Sequence, residues 1–529
     1  MNIKKYTTLA FVLGCVSMAV LSASCTDAFD EINTNPNTVP YEMMLRDNLI
    51  TGSAIGQLEN YCVTTDANQY QRMFNLAGDI YAGYFGGTNT WNNNNNGIQY
   101  VMYPEWYNVA FEVGYESIMA AWRVVDLVKE EEPQAFALAQ ILKVFGMHKI
   151  TDMYGPIPYS QFGKSETSVP YDSQEAIYNL FFTELTDAIN VLTEFVQLYP
   201  GSYPLKNYDA IYQGDYNKWI KFANTLKLRL AMRIVYADEP KAKQYAEEAV
   251  NHPAGLLSDN TDNAFYPVPQ RNPLNEIWDA YQDARMGGTI ACYLNGFGDP
   301  RREVYFSLPA GTTTWNGVRS GTTYSTNNLT NYRNRAALPN VGPNDPIQWM
   351  TAAESYFLKA EGALRGWNMG DAPKDLYEQG IRVSFDQRGV AASYAAYVAN
   401  TTATPANLSP AIVSADAYTY SPANTITIGW DDADDFERKL ERIITQKYLA
   451  IFPDGQEAWS EFRRTGYPRV IPVRFNRSPA NTINTAIQIR RLVFPTTEYD
   501  KNNAEVLKAV ELIGGADHGG INLWWDKKN

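Results

Sequence analysis

The chain has 529 residues, 45% of them hydrophobic and 19% charged, which places it among folded globular proteins with room for more than one structural unit. A formal net charge of −14 opposes phosphate backbones and anionic membrane surfaces and argues against nucleic-acid binding. Aromatic residues make up 13%, mostly 36 Tyr with 12 Trp, and so many amphipathic rings leave a surplus for interfaces or ligand surfaces.

The N-terminus reads as an export signal. Lys4 and Lys5 precede an apolar run from Leu9 to Leu21, and the small residues Ser22, Ala23 and Ser24 precede Cys25. The run is too short to be kept as a spanning helix, and no later run reaches about 18 apolar residues. Residues 1–24 are therefore expected to be a lipoprotein signal peptide. A small-residue site ending in Cys resembles a bacterial lipobox, with Cys25 as the acylated new N-terminus. Ser22 stands where an apolar residue is usual, so a plain secretory signal is the alternative. The polar, acidic stretch "TDAFDEINTNPNTVP" reads as a tether over residues 25–40.

Cys62 and Cys292 remain in the mature chain. An exported protein could bridge them, and two buried free thiols fit as well. His148, His252 and His518 offer no metal-ligand spacing, and neither metal nor cofactor is expected.

From about residue 108 helical patterning dominates. "FEVGYESIMAAWRVVDLVKEEE" stops at Pro133, and "PQAFALAQILKVFGMHKI" is closed by "TDMYGPIP". A third helix follows Asp172. After Asp215, a candidate N-cap, Trp219, Phe222, Ala223, Leu226, Leu230 and Ile234 form one stripe, and "KAKQYAEEAV" follows as a short partner. The long-turn-short pattern returns twice. Asp345-Pro346 is expected to cap a helix through "IQWMTAAESYFLKAEGALRGW", ended by Gly366, with "DAPKDLYEQGI" as its partner. "FERKLERIITQKYLAIF" stops at Pro453, and Asp454 caps "GQEAWSEFRR" with Glu457 completing the box. Tyr followed by small residues in "KQYAEEAV" and "DLYEQGI" resembles the second helix of a tetratricopeptide repeat. Residues 251–344, 401–432 and 468–497 are rich in Gly, Pro, Asn and Thr; long irregular segments of this kind in a helical chain are usually functional.

Six segments, in order, resemble the SusD/RagB family, surface lipoproteins that capture nutrients for a TonB-dependent transporter in Bacteroidetes. They are "CTDAFDEINTNPN", "MYGPIPYS", "WIKFANTLKLRLAMRI", "MTAAESYFLKAEGALRGW", "QKYLAIFPDGQEAWSEFRRTGYP" and "GGADHGGINLWWD". The resemblance implies a mostly α fold: a tetratricopeptide-like scaffold of four helix pairs with an irregular, loop-rich subdomain carrying short strands. It places one such domain over 41–529, with scaffold at about 108–250, 345–390 and 433–466, and a ligand subdomain at about 251–344 with parts of 75–107 and 391–432. It further implies an outer-membrane protein held only by its lipid, facing the exterior, docked on a SusC-like barrel, and binding oligosaccharides without catalysis.

A sugar offers hydroxyl edges and an apolar face, so its site needs aromatic platforms beside planar polar groups. Two stretches supply both. "GDIYAGYFGGTNTWNNNNN" offers Tyr81, Tyr84, Trp91, Asn92, Asn93 and Asn94; "TWNGVRSGTTYSTNN" offers Trp315, Asn316, Arg319 and Tyr324. A peptide-capturing member of the family is the alternative. A surface glycosidase is a further one, drawing carboxylates from "DDADDFE" and "EAWSEF", although the former looks more like a helix N-terminal flank.

Overall fold

Helix caps written in the sequence set most of the architecture. In the computed structural model, which describes residues 48–164, 168–408, 412, 420–421 and 424–528, residues Thr51–Asn529 form one compact unit. The signal peptide, the tether and Cys25 lie outside the described residues. Three helix pairs pack side by side, α1 (Pro133–Tyr154) with α2 (Gln174–Leu198), α3 (Tyr216–Arg233) with α4 (Glu239–Asn251), and α5 (Ala352–Leu364) with α6 (Pro373–Gln387); α7 (Phe436–Ala450) packs on α5, and α8 (Gly455–Thr465) packs on the segment Gln71–Asp79. Side chains of Ser173, Asp215, Asp238, Asp435 and Asp454 each accept a first-turn backbone N–H, and Pro133 and Pro373 sit where a missing N–H costs nothing. Gly366 and Gly466 take the left-handed conformation that closes α5 and α8.

One expected boundary is corrected. The segment after Pro346 does not begin the helix: Ile347–Met350 is a strand, and α5 starts only after Thr351. Ile347 and Trp349 bury on one side while Gln348 stays half-buried, and the strand pairs antiparallel with Ala264–Tyr266. Pairing with a segment far away in the chain outweighs local propensity here.

The irregular half carries six short strands in three two-stranded ribbons. β1 (Phe85–Gly87) pairs with β3 (Ala284–Met286), β2 (Ala264–Tyr266) with β6 (Ile347–Met350), and β4 (Phe306–Ser307) with β5 (Leu338–Pro339), all antiparallel. A π-helical segment, Gln71–Asp79, leads into β1 and packs across α8. That crossing is close. A Cβ on Gly455 would sit 2.3 Å from the Asp79 Cα, and one on Gly78 would sit 2.6 Å from the Gln456 Cα, so two glycines let the backbones meet.

The apolar face of α3 is buried as its stripe requires, but its charged face is buried too. Arg229 and Arg233 meet Glu354 of α5 and Glu457 and Glu461 of α8. Lys447 of α7 lies 2.9 Å from Glu457, and Arg464 of α8 reaches Glu361 of α5 at 2.6 Å and Glu461 at 2.7 Å. Burial by itself would push these carboxyls up; Arg233 and Lys447 hold Glu457 well below the usual range, and Arg464 holds Glu461 well below it and lowers Glu361. Trp219, Trp349, Trp459 and Trp525 are fully buried around this core.

Candidate functional site

The candidate face starts at β1. Gly86 lies against Val318, whose Cβ would stand 2.4 Å from an added methyl, and Gly87 lies against Ile98 and the Trp91 ring. Trp91 is half-buried and braced edge-on by Trp106, ring centres 5.5 Å apart. The asparagines after it are ordered by conformation. Asn92, Asn93 and Asn94 all have positive φ, at 49°, 52° and 60°. Asparagine tolerates this region better than other residues with a Cβ, so the run meets a backbone demand.

Their side chains are partly committed. Asn92 donates to the Asn95 carbonyl at 2.7 Å. Asn94 exchanges two bonds with the Tyr324 backbone, donating to its carbonyl at 3.0 Å and accepting its N–H at 2.9 Å. Asn96 donates to the Trp91 carbonyl and caps the following turn. Asn93 alone of the first three makes no side-chain hydrogen bond among the described residues, and it is exposed. Arg477 clasps the loop from a third segment, donating to the Asn94 carbonyl at 3.0 Å and to Asn95 at 2.9 Å.

The second stretch is threaded between backbones. Val318 N–H donates to Met286, Gly288 N–H to Val318 and Ala337 N–H to Asn316, so residues 316–318 lie between the end of β3 and the segment at 336–337. Trp315 is half-buried with the Arg302 guanidinium 5.0 Å from its ring centre. Asn316 donates to Thr314 and to the Arg335 carbonyl, and Arg319 donates to the Pro472 carbonyl while its guanidinium lies over Tyr420.

The structure therefore joins the two stretches through Asn94 and Tyr324 and through Gly86 and Val318, while Trp91 and Trp315 are each held by a separate neighbour. Three of the expected contacts are buried. Tyr84 is wholly buried, donating to the Tyr448 carbonyl and packed on Phe452; Tyr81 is buried against Trp459 and donates to Gly97. Tyr324 is buried too, its hydroxyl donating to the Gly87 carbonyl at 2.6 Å. Arg302 and Arg477 were missed because the residues they serve are far from them in the chain.

The carboxylates set aside for a glycosidase are spoken for. Glu457 and Glu461 belong to the buried network, Asp435 caps α7, and Asp434 pairs with Arg442 at 2.8 Å. Cys62 and Cys292 are buried free thiols; burial pushes the Cys292 thiol up to about 12. No group of metal-ligating side chains occurs among the described residues, and no helix of theirs is long and apolar enough to cross a membrane.

A family model described as SusD-like, SusD and RagB outer membrane lipoprotein, matches residues 31–526. No match was found among curated proteins. Solved structures match closely. A chitin-binding SusD homologue from Flavobacterium johnsoniae is 37% identical with a TM-score of 0.87, covering 90% of this chain and 99% of its own. A SusD homologue from Bacteroides uniformis is 36% identical with a TM-score of 0.83, and a SusD-like protein from Bacteroides thetaiotaomicron is 32% identical with a TM-score of 0.85; each covers 90% of this chain and 99% of its own. Matched along nearly its whole length in sequence and in fold, the chain belongs to the SusD-like family of outer membrane lipoproteins.

Proposed function

We propose that this protein captures oligosaccharides at the cell surface on the face bearing Trp91 and Trp315, and passes them to a SusC-like TonB-dependent transporter without altering them. The observation that carries the reading is the Trp91 loop. A half-exposed indole is braced by Trp106, and a left-handed asparagine run is tied to two other segments. A loop built at this conformational cost presents a fixed ring face and an exposed carboxamide at Asn93, which suits a pyranose. Trp315 supplies a second ring, and Arg302 beside it a donor. Asn94 and Tyr324 position the loop, and Asn92, Asn316 and Arg319 lend it the donors and acceptors left over from their own bonds. The chitin-binding neighbour supports a glycan as the ligand class. Cys25 is the proposed anchor, and the tether after it gives the protein freedom to swing over the transporter.

Exposed hydroxyls trade water for protein contacts at small net gain, so one sugar unit binds weakly and several bind better. Titration of the purified protein with a chitooligosaccharide series, beside a glycan and peptide array, tests this. Affinity is expected to rise with chain length. Binding of extended peptides with no glycan bound would favour the peptide-capturing alternative, and glycan cleavage would overturn the non-catalytic reading.

A further inference from the structure

A second polar site shares no lining residue with that face. A cavity of about 210 Å³ opens beside the crossing of the π-helical segment and α8, with Asn340, Asp345 and Pro346 exposed at its mouth. Its buried lining includes Tyr70, Asp79, Lys149 and Gln456, exposed by 6%, 1%, 3% and 2%. Lys149 is the feature that asks for an explanation. Its Nζ lies 4.0 Å from the centre of the Phe145 ring, yet it makes no hydrogen bond or ion pair among the described residues. The Tyr70 hydroxyl likewise has no hydrogen-bond partner there, and both amide atoms of Gln456 are unpartnered. Buried polar groups are normally satisfied, and a buried ammonium without an acceptor is costly.

The chemistry of the lining selects the occupant. A metal cation would be repelled by Lys149, and an inorganic anion would face the Asp454 carboxyl group. Lys149 can only donate, Asp454 offers acceptors, and Gln456 and Tyr70 do both, so a matching ligand must donate and accept at several points, as hydroxyls do. Tyr305 and Phe452, with ring centres 4.5 Å apart, form an aromatic wall that suits the apolar face of a ring. The volume is below the roughly 300 Å³ at which drug-sized pockets begin, which limits the ligand to about one ring. We propose that this cavity binds a single monosaccharide, held by Lys149 and Tyr70 at its base, separately from the oligosaccharide face.

The test is saturation-transfer NMR of the purified protein with D-glucose and with N-acetyl-D-glucosamine, using Lys149→Met, Tyr70→Phe and Trp91→Ala beside the parent chain. Lys149→Met removes a charge that already lacks a partner, so its fold holds, and circular dichroism checks that. The expected result is binding of at least one sugar with a dissociation constant of about 1 mM. It is abolished in Lys149→Met, weakened about fivefold in Tyr70→Phe, the worth of one hydrogen bond, and unchanged in Trp91→Ala. Binding lost in Trp91→Ala but kept in Lys149→Met would overturn the cavity and favour the face. No monosaccharide binding to the folded parent chain would also overturn it, leaving waters as the occupant, while oligosaccharide titration reports separately on the surface face.

Discussion

The interior between the helix pairs and the Trp91 loop face solve opposite problems with the same class of side chain. Between α3, α5, α7 and α8, polar groups are spent on one another: Arg229, Arg233, Lys447 and Arg464 face Glu354, Glu361, Glu457 and Glu461. At the loop, polar side chains are spent on backbone, as with Asn94 on Tyr324 and Arg477 on Asn94, and that leaves ring faces and a carboxamide outward. The α7–α8 segment thus holds the scaffold, and the asparagine run shapes the surface. Charge alone points to neither role; what decides is whether the partner is another side chain or a main-chain group.

The comparison breaks most visibly in the interior. Glu457→Ala takes from Lys447 its hydrogen-bonded acceptor and from Arg233 one of its acceptors, and is expected to cost about 3–5 kcal/mol in denaturant unfolding, with no specific effect on ligand affinity in the folded fraction. The same network sets an acid limit. The folded carboxyls of Glu361, Glu457 and Glu461 are held below their unfolded value of about 4.3, so their contribution is present above that pH and fades as pH falls toward the folded values. Circular dichroism across an acid titration should show Glu457→Ala losing less of its remaining stability than the parent chain over that window.

At the loop the expected effects are smaller. Asn93→Val puts a β-branched residue at φ 52° and should cost about 1–2 kcal/mol, whereas Asn93→Gly should be tolerated; paired thermal melts distinguish the two. Trp91→Ala and Trp315→Ala should each weaken oligosaccharide binding about tenfold, or about 1.4 kcal/mol, with little change in melting temperature. Calorimetry showing unchanged affinity in both would remove the rings from the site. Asp79 sets a separate, pH-dependent limit. Burial, the weak bond from Asn75 notwithstanding, pushes its carboxyl up to about 8, with Asp454 adding to the rise. A raised carboxyl stabilises fully below its unfolded value of about 3.9 and loses that contribution as pH rises through about 8. Asp79→Asn, which does not titrate, should therefore gain on the parent chain steadily between those limits in denaturant midpoints.

Much of the scaffold was legible because its signals are local. Asp215, Asp238, Asp435 and Asp454 cap the helices they precede, and Gly366 and Gly466 end theirs. The strand at Ile347–Met350 was not legible, since its partner at Ala264–Tyr266 lies far back in the chain. The ion network was hidden for the same reason: each helix shows its own charges but not where they meet. At the candidate face, residue types pointed to Trp91 and Trp315, yet they could not separate outward rings from Tyr81, Tyr84 and Tyr324, which fill the core beside small residues. The asparagine run stood out for its carboxamides, but its backbone role was not legible, because a demand for positive φ leaves no pattern in spacing.

The buried charges carry one more consequence. Acidic and basic side chains occur in equal numbers among the buried residues, so the interior is formally neutral and the surplus of 14 negative charges lies among the remaining ones. The protein therefore meets its surroundings as a polyanion. Uncharged glycans approach it with no long-range pull or penalty, at rates insensitive to salt. A sulfated or uronic-acid-rich chain would meet a net repulsion that weakens as ionic strength rises. Such a bias would act several ångströms out from the proposed binding residues.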